Sequence, residues 1–293
     1  MMSTIPIREL VLAQLPIQFV YLENLLKIFS VSSKLHSAYI RGSIARNDYD
    51  RVSDIDLVLA FEPDAFESAV ESLDTIIQQS FSTLFPGWLD RIVPDFGGLG
   101  YVYLIQAGDK ILQIDLYVVP SNRLKKLLSV QGVKRVYEKN GTTSSNSYAE
   151  INDEFIKSKI TAPVTSESII VEIIVLSHLL KKRIKRGQTL LNHSETIMLH
   201  RAFRDLIRKT LDPSYFGYGW YHFSENSRKS ESFTKWADII ESVVQKNAVY
   251  DSKSLIETMM LIAEFIQETC PEIVEHIDVS LNYYIENLRR GEV

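Results

Sequence analysis

The sequence predicts an α+β protein: a mixed β-sheet domain followed by an all-α helical bundle. Three observations carry that expectation. Between residues 35 and 120 the apolar residues fall in short runs of strand length, bounded by Gly, Pro and Asp. Beyond residue 165 they recur at helical spacing to the end of the chain. Between the two, Asn140 to Tyr148 is polar and turn-forming, which marks a boundary. The expected organisation is a first domain over residues 1–140, a linker over 141–165 and a helical domain over 166–293.

Each element has a local reason. Ile7 to Phe29 repeats apolar residues at helical spacing, with Pro16 as a break. Leu35 to Arg41 reads as a short strand ending at Gly42, and Ser43 opens a helical turn over Ile44 to Asp50. Asp54 to Phe61 is nearly all apolar, as in a strand buried on both faces. Pro63 and Asp64 start a helix running towards Phe81. Pro86 to Leu99, rich in Gly, Pro and Asp, reads as loop or short strand. Tyr101–Gln106 and Ile111–Val119 read as a hairpin turning at Gly108 and Asp109, and Asn122 to Val130 as a short helix. The back half reads as helices over Ser168–Arg186, Glu195–Leu211, Phe233–Gln245, Ser254–Thr269 and Glu272–Leu288, with Ser194 as the N-cap of the second.

Composition narrows the function classes. Hydrophobic residues make up 45% and charged residues 24%, enough for a full core. The net charge of −5 argues against a dedicated nucleic-acid binder, which would carry a basic excess. Cys270 is the only cysteine, so an internal disulfide is excluded and a thiolate zinc site disfavoured. Arg8, Glu9 and Gln14 interrupt the N-terminal apolar residues, against a signal peptide, and no apolar run approaches the length of a membrane span. The expectation is a soluble, cytoplasmic protein with no membrane partner.

The chemistry concentrates between Arg41 and Phe61. A glycine between strand and helix lets backbone approach an anion, and the N–H groups of the following turn are free to bind it. Gly42 and Ser43 stand at that place, and Arg46 follows one turn later to neutralise phosphate charge. Asp54 and Asp56, two apart on a strand, project to one side and can ligate a hard cation through oxygen. Asp115 interrupts the apolar run Ile111 to Val119, where a carboxylate is costly unless it is used. If its strand pairs beside that of Asp54 and Asp56, three carboxylates converge. Together these features read as a nucleotide triphosphate site.

The succession of apolar run, Gly42-Ser43, spacer, Asp54-Ile55-Asp56 and later strand Asp115 resembles the nucleotidyltransferase superfamily that includes DNA polymerase β. Lys110 to Pro120, followed by Leu124 and Leu127, is similar to aminoglycoside 6-adenylyltransferases. The chain length and helical back half also suit that group and the lincosamide nucleotidyltransferases. The resemblance is specific over Tyr39 to Pro120 and architectural beyond. It implies a catalytic domain followed by a helical acceptor-binding domain, ATP as donor and two Mg²⁺ ions. AMP would pass to a hydroxyl of a small molecule, with pyrophosphate leaving. On this resemblance Asp54 and Asp56 hold both ions, while Asp115 completes the nucleophile-side site and assists deprotonation. Gly42, Ser43 and Arg46 bind the β- and γ-phosphates. An aminoglycoside-like antibiotic is the leading acceptor class, with antibiotic resistance as the implied role. The rivals are the same transfer to a protein or RNA, and a non-catalytic nucleotide-binding module; the acidic balance weighs against RNA, and the presence of all three acids against the module.

Other residues carry two readings each. Glu172 interrupts an apolar helix, either as a glutamate paired with a cation or as a general base raised by burial. Lys181 and Lys182 belong to a basic helix C-terminus, a solvated row favoured by the helix dipole or a source of cations for the triphosphate. Tyr215 to Phe223 reads as a satellite core or a stacking surface, with His222 structural. Gly97, Gly98 and Gly100 read as a turn before a strand.

Overall fold

The computed structural model describes residues 16–91, 97–129, 132–139, 148–246 and 251–291. The first part of the expected N-terminal helix and most of the polar stretch from Asn140 lie outside the described residues. The chain divides into two compact units, Met1–Thr83 with Leu89–Ala162, and Leu84–Trp88 with Pro163–Val293.

Six strands form one sheet: β1 (Leu35–Ile40), β2 (Ile55–Phe61), β3 (Trp88–Leu89), β4 (Leu99–Ala107), β5 (Lys110–Pro120) and β6 (Lys134–Glu138). Their order is β3-β4-β5-β2-β1-β6. The β4–β5 hairpin closes through Gly108, whose φ of +68° suits the tight turn, so Ala107 pairs with Lys110. Strands β2 and β5 run parallel in the centre, with Asp56 paired to Asp115. Both neighbours of that pair, β1 on β2 and β4 on β5, are antiparallel.

Alternation sorts the two faces. Ile55, Leu57, Leu59 and Phe61 of β2, with Ile114, Leu116 and Val118 of β5, join the larger core. That core includes Leu22, Leu25 and Phe29 of α1 (Ile17–Ser30) and Phe66, Val70, Leu73 and Ile77 of α3 (Phe66–Ser80); the short α2 (Gly42–Arg46) lies between them in sequence. The opposite face carries Val58, Ala60, Tyr117 and Val119, packed with Leu124 and Leu127 of α4 (Leu124–Leu128). By the same alternation Asp56 and Asp115 stand on this second face, nearer the strands' beginnings.

Two elements of the first unit are absent from the sequence reading. Strand β6 pairs with β1 at the sheet edge, and most of its residues are exposed. Its Lys-Arg-Val-Tyr-Glu sequence shows the charged character of an edge strand rather than apolar alternation. Within the expected linker, α5 (Ala149–Ile160) buries Ile156 in the larger core, and Asn152 donates to the Pro63 carbonyl at 3.2 Å.

The second unit is helical: α6 (Ser166–Arg186), α7 (Thr189–Leu211), α8 (Phe223–Ser227), α9 (Glu231–Lys246), α10 (Ser252–Thr269) and α11 (Pro271–Arg290). A capping box starts α6, with Ser168 N–H donating to Thr165 Oγ1, and Gly187 at φ +64° ends it. Helix α7 begins at Thr189, so Ser194 lies inside the helix and is not its N-cap. The αL turn at Gly187 reverses the chain so abruptly that the next helix starts a turn and a half before the expected cap. Phe203, Trp236 and Phe265 stack edge to face in the core, at 5.8 and 5.0 Å between centroids.

The aromatic segment after α7 is anchored by Arg208, whose side chain is fully buried. Its Nε donates to the Gly219 carbonyl at 2.7 Å, one Nη to the Tyr221 carbonyl, and the other to Asp212 Oδ2 at 2.6 Å. Tyr221 and Tyr218 remain exposed, and His222 meets the Tyr215 and Tyr218 rings edge-on, at 6.4 and 6.5 Å between centroids. Replacing Arg208 by Met leaves two carbonyls and the half-buried Asp212 carboxylate, which also accepts from Asn226, without this donor. Urea denaturation should show a loss of about 3–5 kcal/mol, with the α9–α11 helices still formed by circular dichroism.

Candidate active site

The site is built where β1 hands the chain to β2. Gly42 follows β1 with φ +64°, and a Cβ there would stand 2.0 Å from Asp56 Oδ2 and 2.8 Å from Asp56 Cγ. Only a residue without a side chain permits that approach. The Arg41 N–H donates to the Asp56 carbonyl at 3.1 Å, so the turn into α2 rests on residue 56 through both backbone and side chain. The Ser43 hydroxyl oxygen is buried and has no hydrogen-bond partner among the described residues. A buried hydroxyl in that state is poised for an incoming acceptor.

The loop from Asn47 to Asp54 is held by side chains. Asn47 adopts φ 66° at the end of α2. Asp50 Oδ1 accepts from Ser53 Oγ at 2.9 Å and from Val52 N–H at 3.0 Å. Gln18, buried on α1, donates to the carbonyls of Asp50 and Ser53 at 3.2 and 3.1 Å. These bonds set the distance between the Gly-Ser turn and the acids. Gln18 escaped the sequence reading because it sits in an ordinary amphipathic helix.

Asp54 lies one residue before β2 and is half-buried. Asp56 faces Arg41, with Nε 3.9 Å from Oδ1. Asp115 is buried on the neighbouring strand and accepts from Gln113 Nε2 at 2.7 Å. The strands therefore pair as expected and bring Asp56 and Asp115 side by side, about 4.8 Å apart across the ladder at the backbone. Among the described residues, no three His, Cys, Asp or Glu side chains gather into a preformed metal group. A cation at Asp56 and an amide donor at Asp115 both favour the ionised carboxylates.

Tyr117, two residues beyond Asp115 on the same face, completes the surround. Its ring lies beneath the Arg41 guanidinium at 4.7 Å, and its hydroxyl donates to Asp90 Oδ2 at 3.3 Å. A Cβ on Gly100 would meet that ring at 2.8 Å, which explains one glycine of the 97–100 stretch; a Cβ on Gly98 would meet the Val118 carbonyl at 2.1 Å and explains another. Burial, then the charges of Asp115, Asp90 and Asp56, push the Tyr117 phenol well above its ordinary pKa. Tyr117 thus remains a neutral hydrogen-bond donor. Arg46 is exposed at the end of α2 and bonds Asp48 Oδ2 at 3.1 Å.

Residues 22–141 match the nucleotidyltransferase domain family. The match takes in all six strands of the sheet and ends before the helical unit. The chain is therefore a transferase that moves nucleotidyl groups, built as an α+β domain followed by helices. No curated protein matches it. The family match spans Gly42, Ser43, Arg46, Asp54, Asp56 and Asp115.

The remaining candidates belong to the second unit. Glu172 is half-buried on α6. Lys182 is buried at 2% exposure, so it is not part of a solvated row. Lys181 Nζ donates to Asn287 Oδ1 of α11 at 2.9 Å. Burial, with repulsion from Lys185 second, lowers the Lys181 pKa to about 8.

Two tests follow from this geometry. Gly42→Ala should remove transfer activity, because Asp56 and the turn must move apart; a steady-state assay with the fold checked by circular dichroism measures it. For Lys181, the folded ammonium releases its proton near pH 8 while the unfolded one holds it to about 10.4. The unfolded chain then binds more protons in that window, so stability should rise from pH 8 to pH 10. Urea denaturation across this range should show a shallower rise in Lys181→Met than in the wild type.

Proposed function

We propose that the protein transfers AMP from ATP to a hydroxyl of a small molecule, releasing pyrophosphate, in a Mg²⁺-dependent reaction. The contact of Gly42 with the Asp56 carboxylate carries this reading. It fuses the phosphate-binding turn to the acidic strand, so one substrate can touch both. An aminoglycoside-like antibiotic is the favoured acceptor class, supported by the resemblance of Lys110 to Pro120, and the helical unit is assigned its recognition.

The residues fit the cation and the nucleotide. Asp54 and Asp56 are assigned to hold two Mg²⁺ ions, and Asp115 to complete the nucleophile-side site. Oxygen ligands of this kind suit Mg²⁺ when phosphates supply the rest. The ions, when bound, supply Lewis-acid polarisation of the reacting phosphate oxygens. The buried Ser43 hydroxyl and the Gly42–Ser43 backbone are assigned to the β- and γ-phosphates, with Arg46 as an outer cation.

The acceptor oxygen attacks the α-phosphorus, and the bond from that phosphorus to the β-bridging oxygen breaks. The bridging oxygen leaves with pyrophosphate, and the acceptor proton passes to Asp115 and then to solvent. Holding the two reactants in line provides much of the acceleration. Glu172, Lys181 and Lys182 are given no step.

Pyrophosphate release measured with ATP, GTP, CTP and UTP against panels of aminoglycosides and lincosamides should single out ATP with one acceptor group. Asp54→Asn and Asp115→Asn should each lower turnover by about a thousandfold or more, with unchanged circular dichroism. Full turnover by either variant would overturn the assignment.

A further inference from the structure

Arg41 stands among the groups assigned to metal, yet the transfer reading gives its side chain no task. Its Nε lies 3.9 Å from Asp56 Oδ1, and its guanidinium carbon 4.7 Å over the Tyr117 ring. The ring cannot recede or turn freely. It is backed by Gly100, which leaves no room for a Cβ, and its hydroxyl is tied to Asp90. The backbone of Arg41 is fixed as well, through its N–H to the Asp56 carbonyl.

The details describe a cation that is present but not locked. At 3.9 Å the contact is an ion pair without the short bidentate geometry of a committed Arg–carboxylate pair. The aromatic face holds a cation without demanding directed hydrogen bonds. The side chain keeps 24% of its surface exposed, so it has a path away from the carboxylate.

We propose that Arg41 is the resident counter-cation of Asp56, restraining divalent metal from binding there until a nucleotide triphosphate draws the guanidinium away. The inference rests on the reading of Asp56 as a metal ligand. A guanidinium and a divalent ion at one carboxylate repel each other at close range. An arriving triphosphate offers the guanidinium a richer set of oxygens and offers the metal further ligands. Metal and nucleotide then assist each other's binding, with a coupling that is the same in both directions.

Manganese serves as the probe. Free Mn²⁺ is followed by electron paramagnetic resonance during titration of the nucleotide-free protein, for the wild type, Arg41→Met, Arg41→Lys and Asp56→Asn. Arg41→Met should bind Mn²⁺ about tenfold more tightly than the wild type, while Arg41→Lys, which keeps the charge, should stay near the wild type. A non-hydrolysable ATP analogue should enhance Mn²⁺ binding less in Arg41→Met than in the wild type, by the same factor. A merely structural arginine would give weaker metal binding when removed, the opposite direction. Equal or weaker Mn²⁺ binding by folded Arg41→Met overturns the inference, and Arg41→Gln gives the same readout should the methionine variant fail to fold. If Asp56→Asn loses Mn²⁺ while Arg41→Met matches the wild type, the inference alone falls. If Asp56→Asn binds Mn²⁺ as the wild type does, the metal reading falls and the inference with it.

Discussion

The contact between the Asp56 carboxylate and the bare Cα of Gly42 is the constraint on which the site depends. It requires a glycine with positive φ, a strand that starts at Ile55, and a loop of fixed span between them. The Arg41 N–H to Asp56 carbonyl bond holds the same two points together from the backbone. Gln18 then closes the loop from beneath with two bonds to its carbonyls. A side chain at residue 42, or a slack loop, would separate the Gly42–Ser43 turn from the acids.

Electrostatics shapes the rest of this region. The parallel pairing of β2 and β5 sets Asp56 beside Asp115 on a face otherwise lined by Val58, Ala60, Tyr117 and Val119. Carboxylates in such surroundings need compensation, since desolvation opposes the charged form. Arg41 faces one and Gln113 the other. Burial first, and these acids second, hold the Tyr117 phenol neutral, which makes it a donor to Asp90 and a platform for the guanidinium. These charges are thus already paired, and on the proposed reading binding is an exchange of partners.

The helical unit solves a different problem with buried cations. Arg208 organises an aromatic segment by donating to carbonyls that no helix satisfies, and neighbouring Arg204 lies over the Trp220 ring at 5.0 Å. Burial pulls the His200 pKa down to about 4, so this histidine is neutral across the physiological range. Lys181 is lowered in the same way, and it trades solvation for a bond to α11. Such groups specify how helices meet, because a polar atom inside a core accepts few alternative packings.

By itself, the sequence determined the fold class, the hairpin, the central strands and most helices, and it marked Gly42, Ser43, Asp54 and Asp56 as candidates. Those features follow from local rules: apolar period, turn residues, and the cost of an acid in a strand. Strand β6 was not legible, because an edge strand is charged and shows no alternation. Helix α5 sat in a stretch read as linker, and the start of α7 depended on the reversal at Gly187. Only the tertiary structure decided that β5 lies beside β2, which makes Asp115 a neighbour of Asp56 across about sixty positions of chain. It alone revealed Arg41, Gln18, Gln113 and Tyr117 as parts of the site. None carries a motif; each matters through what it touches, and contact between distant residues is set by sheet register and packing rather than by local sequence.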